Sequence, residues 1–172
     1  MKIPDKKTAK SAAERKEYAI SKFPSDYNCA QSMLRAFASD LGADENDAVK
    51  YATGFGSGIA TGQICGAVTG AVMAIGLYTS EISDRTERKN KTYGLVREFL
   101  KRFEEKNGST ECKTLLGYTV TNPEIVKCLP EDMQPKNACR PFVESAVLIL
   151  SDILDEDKKG NRKVIKNNNL KV

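Results

Sequence analysis

The chain of 172 residues is long enough for one domain with a sizeable core, and its 40% apolar share is ordinary for a folded protein. It has no histidine, which excludes Ser-His-Asp and Cys-His catalytic pairs, imidazole metal ligands and an imidazole proton shuttle. The net charge of +4 is uneven: residues 158–172 hold Lys158, Lys159, Arg162, Lys163, Lys166 and Lys171 with no acid, which leaves a slightly acidic remainder.

Residues 6–22 predict an amphipathic helix that Pro24 stops. Asn28 caps a second helix, Cys29 to Leu41, with Met33, Leu34 and Phe37 on its apolar face and Gly42 at its end. Asp44-Glu45 opens a third, shorter helix that includes Val49 and Tyr51. From Ala52 to Ser80 there is no charge. The apolar part of that stretch, Ile64 to Tyr78, is shorter than the ~20 residues that cross a bilayer, so a buried central helix is expected rather than a membrane span. Glycines recur every fourth residue from Gly54 to Gly70. The first of them are too dense for a helix and predict a loop leading to Cys65. Residues 85–107 predict a long charged helix with Leu95, Phe99 and Phe103 on one face. Short helices follow, from Ser109 to Gly117 and from Asn122 to about Cys128, before a final apolar-periodic helix from Cys139 to Asp155. Strand signals are scarce, and the expected fold is all-α: one multi-helix domain over residues 1–157, followed by a basic tail over 158–172. A solvated terminus is the better reading of that tail than a nucleic-acid-binding arm.

Four of the five cysteines fall at predicted helix starts: Cys29, Cys65, Cys112 and Cys139. A helix start carries unpaired N–H groups and the positive end of the macrodipole, which favour a thiolate over a thiol. Thiolates are nucleophiles, redox groups and metal ligands. No Cys-x-x-Cys is present, so thioredoxin-like, zinc-ribbon and c-type haem patterns are excluded, and any shared site must be assembled by folding. Cys128 falls near a helix C-terminus, where the dipole disfavours a thiolate and a structural role is expected. The Gly54-Phe55-Gly56 stretch is no nucleotide fingerprint, since no β-branched strand precedes it and no Gly-Lys-Ser/Thr occurs. Asp44, Glu45 and Asp47 read as surface residues favoured by a helix start, so no acid–base pair for a hydrolase emerges. Tyr27, beside Cys29, reads as a packing residue.

The succession Asn28-Cys29-Ala30-Gln31, Gly54-Phe55-Gly56, Cys65-Gly66-Ala67-Val68-Thr69-Gly70, Gly108-Ser109 with Cys112 and Leu115-Leu116-Gly117, then Cys139 resembles the C-GCAxxG-C-C family of redox-active proteins. The resemblance covers about residues 15–155 and implies that Cys29, Cys65, Cys112 and Cys139 are the family's four characteristic cysteines. A related module occurs in split-Soret cytochromes, whose haem-attachment motif is absent here.

Three readings stay open on the sequence. In the first, the four cysteines exchange with the disulfide of a redox partner protein, and Gly66 and Gly70 let that partner or a substrate approach Cys65. In the second, the same cysteines hold an iron–sulfur cluster or a structural zinc. In the third, the chain is a helical binding protein whose cysteines pack. Without a secretory signal in the sequence, a cytoplasmic location is expected, and free cysteines suit that compartment. Uncharged Ile59, Ile64 and Leu77 could serve a subunit contact.

Overall fold

Capping chemistry sets the helix boundaries in the computed structural model, which describes residues 9–160. In chain order the helices are α1 (Ala12–Ile20), α2 (Cys29–Ala38), α3 (Glu45–Ala52), α4 (Gly66–Thr79), α5 (Arg85–Asn107), α6 (Cys112–Leu116), α7 (Pro123–Cys128), α8 (Pro135–Ala138) and α9 (Arg140–Lys158). The Ser11 hydroxyl accepts the Glu14 N–H while the Glu14 carboxylate accepts the Ser11 N–H, a reciprocal cap that starts α1. Asp44 and Asp84 cap α3 and α5 in the simpler one-sided way. Gly42, Gly108 and Gly117 end helical segments at φ of 77°, 87° and 77°, conformations that favour glycine. The first helix therefore begins later than residue 6, because Ser11 claims the cap; residues 6–8 lie outside the described residues. The last helix continues past Asp155 to Lys158, and residues 161–172, most of the expected basic tail, also lie outside the described residues.

The fold is all-α, as the periodicity indicates. Among the described residues the one β-type pairing is an isolated antiparallel bridge between Ile64 and Glu111. Helix α4 is central and packs against α2, α5 and α9, while α1 closes over α9 and α2. Phe37, Met33, Ile75, Leu95, Phe99, Phe103, Leu150 and Ile153 are fully buried between these helices. Burying side chains of this size contributes roughly 1.5–3 kcal/mol each. No helix among the described residues is long and apolar enough to cross a membrane.

Two arginines are buried with partners. Arg15 pairs with Asp40 at 3.0 Å, and Arg35 pairs with Glu45 at 3.1 Å while donating to the Tyr18 carbonyl. Glu45 also accepts the Tyr18 hydroxyl. Its sequence neighbourhood suggests a surface carboxylate, but it closes a largely buried polar network instead. The reason is that α2 turns Arg35 toward it.

Candidate functional site: four helix starts around one group of thiols

The first cysteine is held by a staple at the head of α2. The Asn28 side chain accepts the N–H groups of Ala30 and Gln31, and the Gln31 carbonyl oxygen accepts the Asn28 N–H at 3.0 Å. The same two amides then reach outward. Asn28 donates to the Thr53 carbonyl, and Gln31 donates to the Val49 carbonyl and the Thr53 hydroxyl. The head of α2 is thus tied to the end of α3 and the turn after it, which fixes Cys29 as the first residue of α2.

Cys65 and Cys112 are placed by the isolated bridge. The Cys65 N–H donates to the Thr110 carbonyl at 2.9 Å, and the Cys112 N–H donates to the Gln63 carbonyl at 2.6 Å. Neighbouring residues on paired extended segments point to opposite faces. Ile64 and Glu111 therefore face outward and are exposed, while Cys65 and Cys112 face inward at 6% and 5% exposure. A one-residue slip would turn both thiols to solvent. Cys65 is then the cap residue of α4 and Cys112 the first residue of α6. Cys139 sits at the junction of α8 and α9, with its N–H donated to the Pro135 carbonyl. All four expected helix-start positions are realised.

Between α3 and α4 the chain does not form an ordinary loop. A short 3₁₀ turn covers Thr53–Phe55, and then Ser57, Gly58, Ile59 and Ala60 all adopt left-handed conformations, with φ of 53°, 65°, 56° and 56°. Only Gly58 does so without steric penalty; for the others the left-handed region costs roughly 1–2 kcal/mol per residue. The turn lies directly on the site. A methyl on Gly58 would stand 2.8 Å from Cβ of Cys112. The backbone N–H groups of Ser57, Ala30, Cys29 and Gly66 lie near enough to the Cys29 sulfur to oppose the effect of its burial.

The glycines expected to admit a partner are occupied by this chain itself. A methyl on Gly66 would overlap the Cys29 sulfur and stand 2.8 Å from the Phe55 carbonyl oxygen; one on Gly70 would stand 2.7 Å from the Ala30 carbonyl oxygen. Gly66 and Gly70 thus seat α2 backbone to backbone on α4, and the room they leave is not open to a substrate. Gly56 serves the same end, since the Asn28 side chain fills the space beside it.

The electrostatics reverse one expectation. Burial raises all four thiols above the free-cysteine value, and at Cys29 and Cys65 it outweighs backbone N–H groups that act the other way. Cys65 is pushed up to about 12 by burial first and then by the charges of Cys29 and Cys112. Cys112 is pushed up to about 11 by burial and Cys29. Cys139 is raised by burial and then by Cys29, Cys65 and Cys112 together. The helix-start advantage is real at Cys29, but it is smaller than the cost of desolvating sulfur anions side by side. At neutral pH the reduced group is four neutral thiols. The charges of Cys29, Cys65 and Cys112 act on Cys139, so sulfurs from segments remote in sequence lie within electrostatic reach of it.

Cys128 is the last residue of α7 and is exposed, so it neither joins the four nor packs in the core as a structural cysteine. Tyr27 is half-buried, with Arg35 4.9 Å and Lys22 5.9 Å from its ring centre, and stacks with cations as a packing residue. Sequence reasoning missed Ser57 and Tyr118. The half-buried Tyr118 ring lies close enough to Cys139 and Cys112 for their charges to raise its phenol further, after burial, and its hydroxyl donates to the Met133 carbonyl at 2.6 Å. Its position just after the helix-ending Gly117 was the one available signal. Among the described residues, no three Cys, Asp or Glu side chains are grouped tightly enough to hold a single metal ion. Backbone N–H groups near the Cys29 sulfur are of the kind that accompany thiolate ligands.

These features define a helical protein with three buried cysteines and one half-buried cysteine at helix starts. The model of the family described as "Putative redox-active protein (C_GCAxxG_C_C)" matches residues 27–153, and the chain belongs to that family. No curated protein and no solved structure matches the chain.

Proposed function

We propose that Cys29, Cys65, Cys112 and Cys139 carry out reversible thiol–disulfide exchange with the disulfide of a redox partner protein. Two thiols of the group become one disulfide, the partner disulfide becomes two thiols, and two electrons and two protons pass to the partner. The mutual electrostatic reach of these four thiols, gathered from four separate segments, is the observation that carries the reading. Gly66 and Gly70 contribute by seating Cys29 against α4. A reducing, cytoplasmic setting suits such chemistry, because structural disulfides are rare there and reversible ones useful.

The test is oxidation of the reduced protein in a graded thiol–disulfide buffer, followed by mass spectrometry of trapped thiols. The four cysteines should be lost in pairs and recovered on reduction, with Cys128 outside those pairs. Cys65→Ser should remove one pair and Cys128→Ser none. Equal effects of the two substitutions would remove the basis for the assignment.

A second reading is favoured by the N–H groups directed at Cys29 and by the mutual repulsion of the four sulfurs, which a cationic core would offset. On that reading the same four cysteines hold an iron–sulfur cluster that supplies one-electron transfer when bound. Anaerobic purification decides between the two: a visible chromophore with stoichiometric iron and sulfide supports the cluster, and a colourless protein with reversible disulfides supports exchange.

A further inference from the structure

The bridge that places Cys65 and Cys112 has one closed edge and one open edge. Its two hydrogen bonds flank the facing residues Ile64 and Glu111: the Cys65 N–H donates to the Thr110 carbonyl, and the Cys112 N–H to the Gln63 carbonyl. In an antiparallel pair of this kind, the N–H and C=O of the two facing residues point away from each other. On the Glu111 side both groups are used. Its N–H donates to the Ser109 hydroxyl at 3.0 Å, and its carbonyl accepts the Leu115 N–H at 2.9 Å. On the Ile64 side neither backbone group has a hydrogen-bond partner among the described residues.

The side chains around the open edge do not protect it. Exposed strand edges are usually blunted by charge or proline. Ile64 is 37% exposed, Ile59 in the preceding turn is 41% exposed, and residues 53–64 contain neither charge nor proline. The charges lie on the opposite segment, where Glu111 pairs with Lys113 at 3.9 Å. An outward donor and an outward acceptor on one residue, beside an exposed β-branched side chain, match an extended polypeptide. Each residue of such a chain offers the complementary acceptor and donor at the same spacing, which a helix or a small anion does not.

We propose that Ile64 is the docking edge for an extended, uncharged segment of the redox partner, the segment that carries the partner's disulfide. This rests on the thiol-exchange reading. The partner residue opposite Ile64 exchanges two backbone hydrogen bonds with it and lays its side chain beside that of Ile64 on the outer face. Side chains alternate along a paired strand, so the partner residues just before and just after it point to the face that carries Cys65. The bridge thereby sets a register. A partner cysteine one position from the residue opposite Ile64 faces the Cys65 side, and one two positions away faces solvent.

The experiment uses the full chain carrying Cys128→Ser, so that the exposed thiol does not interfere. The probe is the end-capped peptide Thr-Val-Cys-Val-Thr with thionitrobenzoate in a disulfide on its cysteine; capped cysteine with the same leaving group is the reference. Release of thionitrobenzoate should be about tenfold faster from the peptide, the factor that two net backbone hydrogen bonds supply. N-methylation of one of the two valines removes the donor opposite Ile64 and should bring the ratio to about one. N-methylation of the cysteine itself, whose N–H points away from the edge, should leave the ratio in place. Ile64→Asp should abolish the ratio, and Tyr93→Ser, at an exposed position on α5, should keep it.

Equal rates for peptide and reference overturn the docking edge while sparing the exchange reading. So does a ratio that survives N-methylation of either valine, or one lost on N-methylating the cysteine alone. A dimer of the reduced chain that Ile64→Asp dissociates assigns the edge to a second copy and also overturns it. No release from either compound by folded protein removes the exchange reading and the docking edge together. The N-methylated peptides act on a chain with Ile64 intact, so the question stays decidable even if Ile64→Asp fails to fold.

Discussion

Helix α4 begins and ends in two different kinds of packing. At its start, Gly66 and Gly70 bring the backbone of α2 against it with no space for a methyl, and the neighbouring turn is strained. At its end, Gly76 faces open space, and side chains do the joining: the Thr79 and Thr92 hydroxyls meet at 2.7 Å, the Tyr78 hydroxyl donates to Asp157, and Lys91 pairs with the same carboxylate. Nearby, Arg102 links Glu98 and Glu156. Flexible side chains adjust to a displaced neighbour, whereas two backbones in contact do not. The far end is joined through side chains, whereas at the cysteine end two backbones fix the position of the Cys29 sulfur.

Gly66→Ala should give the largest effect, because the new methyl must displace both the Cys29 sulfur and the Phe55 carbonyl. A loss of about 3 kcal/mol or more is expected from overpacking at an immobile site, read by denaturant unfolding of the reduced protein. A loss under about 1 kcal/mol would mean that the two helices are not locked there.

Next in size is a dependence on pH. Burial pushes the thiols of Cys65 and Cys112 up to about 12 and about 11 in the fold, above the ordinary cysteine value of 9.0. A thiol raised in this way stabilises fully below its unfolded value, and that contribution is lost as pH climbs toward the folded value. The reduced protein should therefore lose stability from about pH 9 upward, by at most about 1.4 kcal/mol per pH unit for each such thiol. Replacing Cys112 with Ser should flatten that slope. An unchanged slope would place its cause outside the cysteine group.

Smallest is Gly76→Ala, at the permissive end. It adds a methyl into open space on a helix, so it should stabilise by roughly 0.5–1 kcal/mol and leave thiol reactivity unchanged. Destabilisation there would show that the two ends of α4 are alike after all.

Much of the fold was legible because its signals are local. Asn28, Asp84, Gly42, Gly108 and Gly117 mark helix ends through their own side chains or conformations, and the α5 boundaries follow from Asp84 and Gly108 alone. The placement of four cysteines at helix starts was legible for the same reason. The left-handed run at Ser57–Ala60 was not, since serine, isoleucine and alanine carry no preference for it. The role of Glu45 was hidden likewise, because its partner Arg35 reaches it only when α2 and α3 pack.

By itself, the sequence determined an all-α chain, the absence of imidazole chemistry, and which residues start and stop its helices. Each of these depends on residue type and near neighbours. Only the tertiary structure decided that burial raises the four thiols instead of lowering them, that the glycines beside Cys65 seat α2, and that Glu45 meets Arg35. Those outcomes depend on distance and desolvation between segments far apart in the chain, and residue order carries no local trace of either.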